Sequence, residues 1–152
     1  MQPNLESMAL NPDRLQALAG FRHAMRRFLA ASEVISKAAG ITQQQYQAML
    51  AIAAWTGPPM TIRDLSEELL LTHHAAVQLV DRLAKADLAQ REASTADRRS
   101  VELSLTPGGT ALLERLVQQH QAEMLKREPA LSVSLRRLRR LKSAPAPAAD
   151  KS

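Results

Sequence analysis

A mostly α-helical chain with one small β-hairpin is predicted by three observations. Thr61 to Leu69 has the pattern of a short helix and Thr72 to Ala86 that of a longer one, with only Leu70 and Leu71 between them. A connection that short lets two helices cross steeply as a helix-turn-helix. Val101-Glu102-Leu103-Ser104-Leu105 then alternates apolar and polar residues at period two, the pattern of a half-buried strand. The segment before it, Ser94-Thr95-Ala96-Asp97-Arg98-Arg99, is small and polar and ends in paired arginines, as the tip of a hairpin would. In this order the elements describe a winged helix-turn-helix, a shape that sets one helix in the DNA major groove and a basic loop beside it.

The remaining elements follow from caps and breakers. Pro12 opens a long helical pattern in which Leu18, Phe21, Met25, Phe28, Ser32 and Ile35 alternate spacings of three and four, a heptad-like seam that Gly40 ends. Thr42 with Gln45 is a capping box for a helix reaching about Trp55, and Gly57-Pro58-Pro59 breaks it. Thr61 with Asp64 starts the next helix in the same way. After the hairpin, Thr106-Pro107 supplies an N-cap and a proline at the first helical position. Leu112, Leu113, Leu116, Val117 and Met124 share one broad side of that helix, and Glu128-Pro129 is expected to end or kink it. A final short helix would place Leu131, Leu135 and Leu138 on one side and arginines on the other. Residues 1–11 read as a flexible N-terminus and 143–152, rich in Ala and Pro, as a disordered tail.

Composition narrows the function classes. The 152 residues suit one domain, 12–142, and the 3% aromatic content favours a core of Leu, Ala, Val, Ile and Met. The absence of cysteine excludes disulfides, thiolate metal sites and a thiol redox sensor. No apolar run approaches the ~20 residues of a membrane span, and the N-terminus lacks a signal-peptide pattern, so a soluble cytoplasmic protein with no membrane partner is expected. The net charge of +5 is unevenly spread: Lys126 to Lys142 carries +6 and the rest −1, while Thr72 to Leu105 is neutral. DNA binding must therefore rest on local placement of charge, not on the bulk balance.

Thr72, His73, His74 and Gln78 fall largely opposite the apolar side formed by Leu71, Ala76, Leu79, Val80 and Leu83. They lie at the helix start, where a recognition helix meets base edges. Gln can pair bidentately with adenine, Thr or His can bond base edges or phosphates, and the helix N-terminus itself favours phosphate. A capped, solvated first turn is the plainer reading of this helix alone; the hairpin that follows favours the DNA-facing one. Adjacent His73 and His74 point about 100° apart on a helix and chelate poorly, so no metal and no cofactor is expected. At the hairpin tip, Arg98 or Arg99 can enter a narrow minor groove, and Asp97 can hold the loop by a charge-assisted hydrogen bond. The run Arg136 to Lys142 could bind an anionic surface, but the wet face of a helix whose leucines pack on a partner is the favoured reading. There is no Gly-rich phosphate loop, nucleophile elbow or H-E-x-x-H, so an enzyme is not expected.

With these residues in view, the chain resembles the MarR family of bacterial transcription regulators from about Leu15 to Met124, most densely from Ile62 to Leu113. The resemblance rests on Ile62-Arg63-Asp64-Leu65-Ser66-Glu67-Glu68-Leu69, on Leu79-Val80-Asp81-Arg82-Leu83, on Asp97-Arg98-Arg99 and on Leu105-Thr106-Pro107-Gly108-Gly109, in that order. It implies a homodimer in which 12–38 and 107–142 are dimerisation helices and 42–105 is a winged helix-turn-helix. Each dimer would bind a pseudo-palindromic stretch of double-stranded DNA. Thr72, His73, His74 and Gln78 would face the major groove, Arg98 or Arg99 the minor groove, and Arg82 would pair with Asp97 or a phosphate. The seam from Leu18 to Ile35, with Leu131, Leu135 and Leu138, would form the dimer interface. The resemblance also implies release by a small aromatic or phenolic anion, for which His23, Tyr46, Trp55 and Arg63 are the candidate contacts.

Two positions depart from the family pattern. Asp87-Leu88 stands where Gly-Leu is usual, so a left-handed cap there would cost about 1 kcal/mol. His73-His74-Ala75-Ala76 stands where Ser, Pro or Thr is more usual, so the operator cannot be borrowed from relatives. The missing cysteine sets the chain apart from the peroxide-sensing branch. The alternative from another class is a winged-helix protein-interaction module without specific DNA binding. A small metal-dependent enzyme using the histidines is a more distant rival.

Overall fold

A computed structural model describes residues 10–143. The elements run α1 (Pro12–Ala38), α2 (Gln43–Ala54), α3 (Ile62–Glu68), α4 (His73–Lys85), β1 (Ala89–Ala93), β2 (Val101–Leu105) and α5 (Pro107–Ser143). The mostly helical class with one antiparallel hairpin is therefore the observed one. Of the flexible ends expected at 1–11 and 143–152, residues 1–9 and 144–152 lie outside the described residues, while Ser143 is not part of a loose tail but the last residue of α5. Two compact units emerge, one of residues 32–121 and the other of 10–31 with 122–143.

In the unit 32–121 each helix start is set by a side chain. Thr42 accepts from the Gln45 N–H at 3.1 Å while the Gln45 side chain accepts from the Thr42 N–H at 2.8 Å, the reciprocal capping box the sequence predicts. Thr61 and Asp64 repeat it for α3, and Thr72 caps α4 by accepting from Ala75 at 3.2 Å. The core gathers Tyr46, Met49, Ile52, Met60, Leu65, Leu79, Val80, Leu83, Ala89, Leu103, Leu113 and Leu116 from every element of the unit but α1, whose Ile35 packs against it. A polar link ties α1 to α2: Ser36 donates to the Gln43 side-chain oxygen at 3.0 Å, and the Gln43 amide donates to Ser32 at 2.7 Å. Ser32 is thus buried in an internal contact, not displayed on the heptad seam where the sequence pattern placed it.

Both helices of the helix-turn-helix end in Schellman motifs. After α3, Leu71 N–H reaches Ser66 O at 2.8 Å and Leu70 N–H reaches Glu67 O at 3.3 Å; after α4, Leu88 N–H reaches Leu83 O at 2.9 Å and Asp87 N–H reaches Ala84 O at 3.0 Å. Such an end requires a left-handed residue, and Leu70 (φ 54°) and Asp87 (φ 55°) occupy those positions without being glycine. The Asp87 carbonyl accepts from the Thr106 hydroxyl at 2.6 Å, a bond that a glycine would keep. Asp87→Gly is therefore expected to stabilise the protein by about 1 kcal/mol, read as a rise of about 2–4 °C in melting temperature. An unchanged or lower midpoint would reject the strained-cap account.

The hairpin pairs Ala89 with Leu105 through to Ala93 with Val101. It also takes a third edge that the sequence pattern did not reveal. Thr61 bridges Glu102, and the Leu103 N–H donates to Met60 O at 2.7 Å, so the entry to α3 is stitched to the wing.

In the other unit the α1 and α5 segments run antiparallel, with Gly20 close to Ser134 and Arg137 donating to the Gln16 side-chain oxygen at 3.2 Å. Ala17 and Ala24 are the buried apolar residues on the α1 side. One expectation fails here. Pro129 does not end α5, and Leu131, Leu135 and Leu138 belong to the same continuous helix as Leu113. Proline removes one intrahelical donor and crowds the preceding turn, but it does not forbid helical φ. The helix accepts that local cost and continues to Ser143.

Candidate nucleic-acid interface

The sequence of α4 divides cleanly by face. Ala76, Leu79, Val80 and Leu83 are buried, which leaves Thr72, His73, His74, Gln78 and Arg82 exposed. His74 and Gln78, four residues apart on one face, are joined by a 3.2 Å contact between the Gln78 amide nitrogen and His74 Nε2. This contact ties the two side chains into one polar patch on the exposed face. The Thr72 hydroxyl accepts from the Ala75 N–H in capping, which leaves its proton free to donate and a second lone pair free to accept.

The wing tip is organised by short polar bonds. Ser94 accepts from the N–H groups of Ala96 and Asp97, and the Ser100 N–H donates to Asp97 O at 3.0 Å. The Asp97 carboxylate accepts from the Arg99 N–H at 3.0 Å and from the Ser100 hydroxyl at 3.4 Å. Its oxygens are directed into its own turn, and no ion pair joins it to Arg82, so that expected partnership is not formed. The neighbour Asp81 instead holds Arg91 of β1, an ion pair between recognition helix and wing that sequence spacing gave no hint of. Arg98 and Arg99 stay exposed at the tip.

Between the starts of α3 and α4 and the wing lies a cleft of about 620 Å³. Arg63, His73, Arg91, Arg98 and Arg99 line it, with Glu92 as its one acidic residue. The unit as a whole has eight Lys and Arg against ten Asp and Glu, a net of −2. Positive charge is thus concentrated at the cleft within a slightly acidic unit, as a local DNA-binding surface requires.

The four ligand candidates occupy different surroundings. Tyr46 is 7% exposed in the core and stacks on His120, with ring centroids 3.8 Å apart. Burial pushes its phenol pKa up, which keeps it neutral. His120 Nδ1 donates to Leu116 O at 2.8 Å, and its buried Nε2 has no partner among the described residues. Sequence spacing marks His120 only as a histidine distant from His23, and gives no sign of its stack on Tyr46. Trp55 caps the end of α2 and donates from Nε1 to Pro58 O at 2.9 Å. Arg63 lies in the wing cleft and pairs with Glu67, and His23 belongs to the other unit. Among the described residues no cluster of His, Cys, Asp or Glu could hold a metal ion. Nor is any described helix long and apolar enough to cross a membrane.

A short helix, a steep turn, a polar-faced second helix and an arginine-tipped hairpin stitched to the first define a winged helix-turn-helix protein. Comparison with known proteins narrows the class. The MarR family profile matches residues 39–100, the span from the end of α1 to the wing tip. The organic hydroperoxide resistance transcriptional regulator of Bacillus subtilis is 34% identical over 77 residues, covering 51% of each chain. The fold matches AbsC, a MarR family transcriptional regulator from Streptomyces coelicolor, with a TM-score of 0.72 at 20% identity over 80% of this chain and 82% of that one. It also matches a Cys-to-Ser mutant of MarR from E. coli complexed with operator DNA, with a TM-score of 0.63 at 20% identity over 81% and 90%. Residues 39–100 are thus similar to the MarR family, and the fold is shared with solved members of it. It spans about half the length of the curated relatives it matches. Having no cysteine, it cannot sense peroxide through a thiol of its own.

Proposed function

We propose that this chain is a homodimeric, sequence-specific DNA-binding repressor acting in the cytoplasm on a pseudo-palindromic operator. The observation that carries this reading is the adjacency of an exposed His73, His74 and Gln78 face to the Arg98 and Arg99 wing. Thr72, His73, His74 and Gln78 would contact the major groove and Arg98 or Arg99 the minor groove. Arg82, free of Asp97, would take a phosphate, while Asp97 shapes the turn that presents the arginines. Residues 12–142 would act as one functional domain, with 12–38 and 107–142 pairing with a second copy. Large apolar residues left exposed on these helices support that pairing, among them Leu18, Leu29, Met124, Leu125 and Leu135.

A small aromatic or phenolic anion is proposed as the releasing ligand. Arg63, Arg91, Arg98 and Arg99 make the wing cleft the better host for its carboxylate, and an anion there would compete directly with DNA phosphate. A more apolar cavity of about 550 Å³, lined by Ile52, Leu105, Leu113 and Val117, has Glu114 as its only charged neighbour and suits a neutral phenol instead. Of the sequence candidates, Arg63 thus remains a first contact for an anion. Release follows if the ligand-bound dimer favours a subunit spacing that misses successive major grooves, roughly 34 Å apart.

The test is binding of the purified protein to its own upstream intergenic DNA against excess nonspecific competitor, with and without a panel of aromatic acids. Tight, salt-steep binding abolished by one acid is expected. Failure there, and again in a genome-wide selection, would replace this reading with the protein-interaction module.

A further inference from the structure

Charge on this protein is divided against the expectation for a DNA-binding chain. The unit of residues 32–121, which holds the wing, is net −2, whereas 10–31 with 122–143 holds eleven Lys and Arg against three Asp and Glu, a net of +8. Part of that excess converges on a cavity of about 360 Å³ between antiparallel stretches of α1 and α5. Gly20, His23, Ala24 and Arg27 recur at spacings of three and four and so share one face of α1. Lys126, Arg127, Ala130 and Ser134 do the same on α5. At Gly20 a Cβ would lie 3.6 Å from Ser134 Oγ. Small residues form the floor, and His23, Arg27, Lys126 and Arg127 form the walls, with no carboxylate among the lining residues.

One wall is held in place. Glu123 pairs with the Nε of half-buried Arg127, leaving its two terminal nitrogens for another acceptor. Arg27 and Lys126 are exposed and have no acidic partner among the described residues. Ser134 is committed to Ala130 O at 3.0 Å and offers no donor. A set of cationic donors around a cavity several times the size of one phosphate fits the phosphate end of a small molecule, or a free condensed oxyanion.

We propose that this cavity binds a small phosphate-bearing anion, independently of the wing and of the DNA-binding reading. Arg27, Lys126 and the Glu123-braced Arg127 hold the phosphate oxygens, and His23 closes the side. The test is calorimetric titration of the full chain with inorganic pyrophosphate and, separately, with a hexose phosphate. Saturable binding of one anion per chain is expected, weakened about tenfold or more in Arg27→Gln/Lys126→Gln. Stronger binding of the hexose phosphate would assign the site to an organic phosphate, and stronger binding of pyrophosphate to the inorganic ion. Arg136→Gln/Arg140→Gln removes the same charge from elsewhere in this unit and should bind as the parent does. Equal loss in the Arg136→Gln/Arg140→Gln control would reduce the effect to diffuse attraction and overturn the site. Undiminished binding in Arg27→Gln/Lys126→Gln, or no binding of either anion by the parent, would also overturn it. All substituted side chains are exposed, and matching melting curves establish that each variant is folded.

Discussion

Replacing Arg98 and Arg99 together by alanine is expected to weaken operator binding by on the order of a hundredfold, because each arginine that reaches DNA is worth about 1–3 kcal/mol. Both side chains are exposed, and neither makes a hydrogen bond or ion pair within the wing. The melting temperature should therefore stay where it is, which separates lost contact from lost fold. Removing two positive charges from the DNA-facing tip would also flatten the plot of log affinity against log salt by about two. Asp97→Ala provides the contrast. It removes the acceptor for the Arg99 N–H and the Ser100 hydroxyl, so it loosens the tip while leaving both positive charges in place. Affinity should fall by less than in the double variant, with the salt slope nearly unchanged. If the double variant binds the operator as tightly as the parent, the wing does not contact DNA and that part of the proposal fails.

Local chemistry made most of the fold legible. Thr42 with Gln45 and Thr61 with Asp64 announced two helix starts within a residue, because a capping box is built from groups three positions apart. The alternation at Val101–Leu105 announced a strand for the same reason. Pro129 misled as to a helix end, since α5 carries the local cost of the proline and continues through it. The α4–wing ion pair of Asp81 with Arg91 was invisible, as were the Ser32–Gln43–Ser36 link and the Tyr46–His120 stack. Each joins residues whose meeting depends on tertiary packing, and no periodicity within a segment encodes it. The exposed face of α4 could be read because amphipathic spacing assigns each residue a side. The destination of Arg82 could not, because a long side chain chooses its partner only after the backbone has placed Asp97 in its turn.

Gly109→Ala is expected to be the most damaging single methyl addition in the helix-turn-helix unit, costing about 3 kcal/mol and lowering the melting temperature by about 6–12 °C. The first turn of α5 passes so close to the end of α4 that a Cβ at Gly109 would lie 1.9 Å from Leu88 O and 2.8 Å from Leu88 C. Those are backbone atoms, so no side chain can swing aside to relieve the overlap. The junction must open instead, and it is held by the Thr106 hydroxyl, which donates to Asp87 O at 2.6 Å and accepts from the Gly109 N–H at 2.9 Å. The Thr106 N–H also donates to Leu88 O at 3.1 Å, the very atom the new methyl would strike. Adjacent Gly108 gives the control, because a Cβ there would meet Asp87 O and Thr106 Oγ1 at 3.8 Å, ordinary contact. Gly108→Ala in the same helical turn should leave stability unchanged or raise it by about 0.5–1 kcal/mol. Opposite signs at neighbouring glycines would tie the effect to the Leu88 contact. Since Leu88 leads directly into β1, an opened junction in Gly109→Ala would also shift the wing against α4, and operator affinity should fall at temperatures where the variant is still folded. Equal and small effects at both glycines would mean that α5 shifts at little cost and that the close approach does not fix the wing.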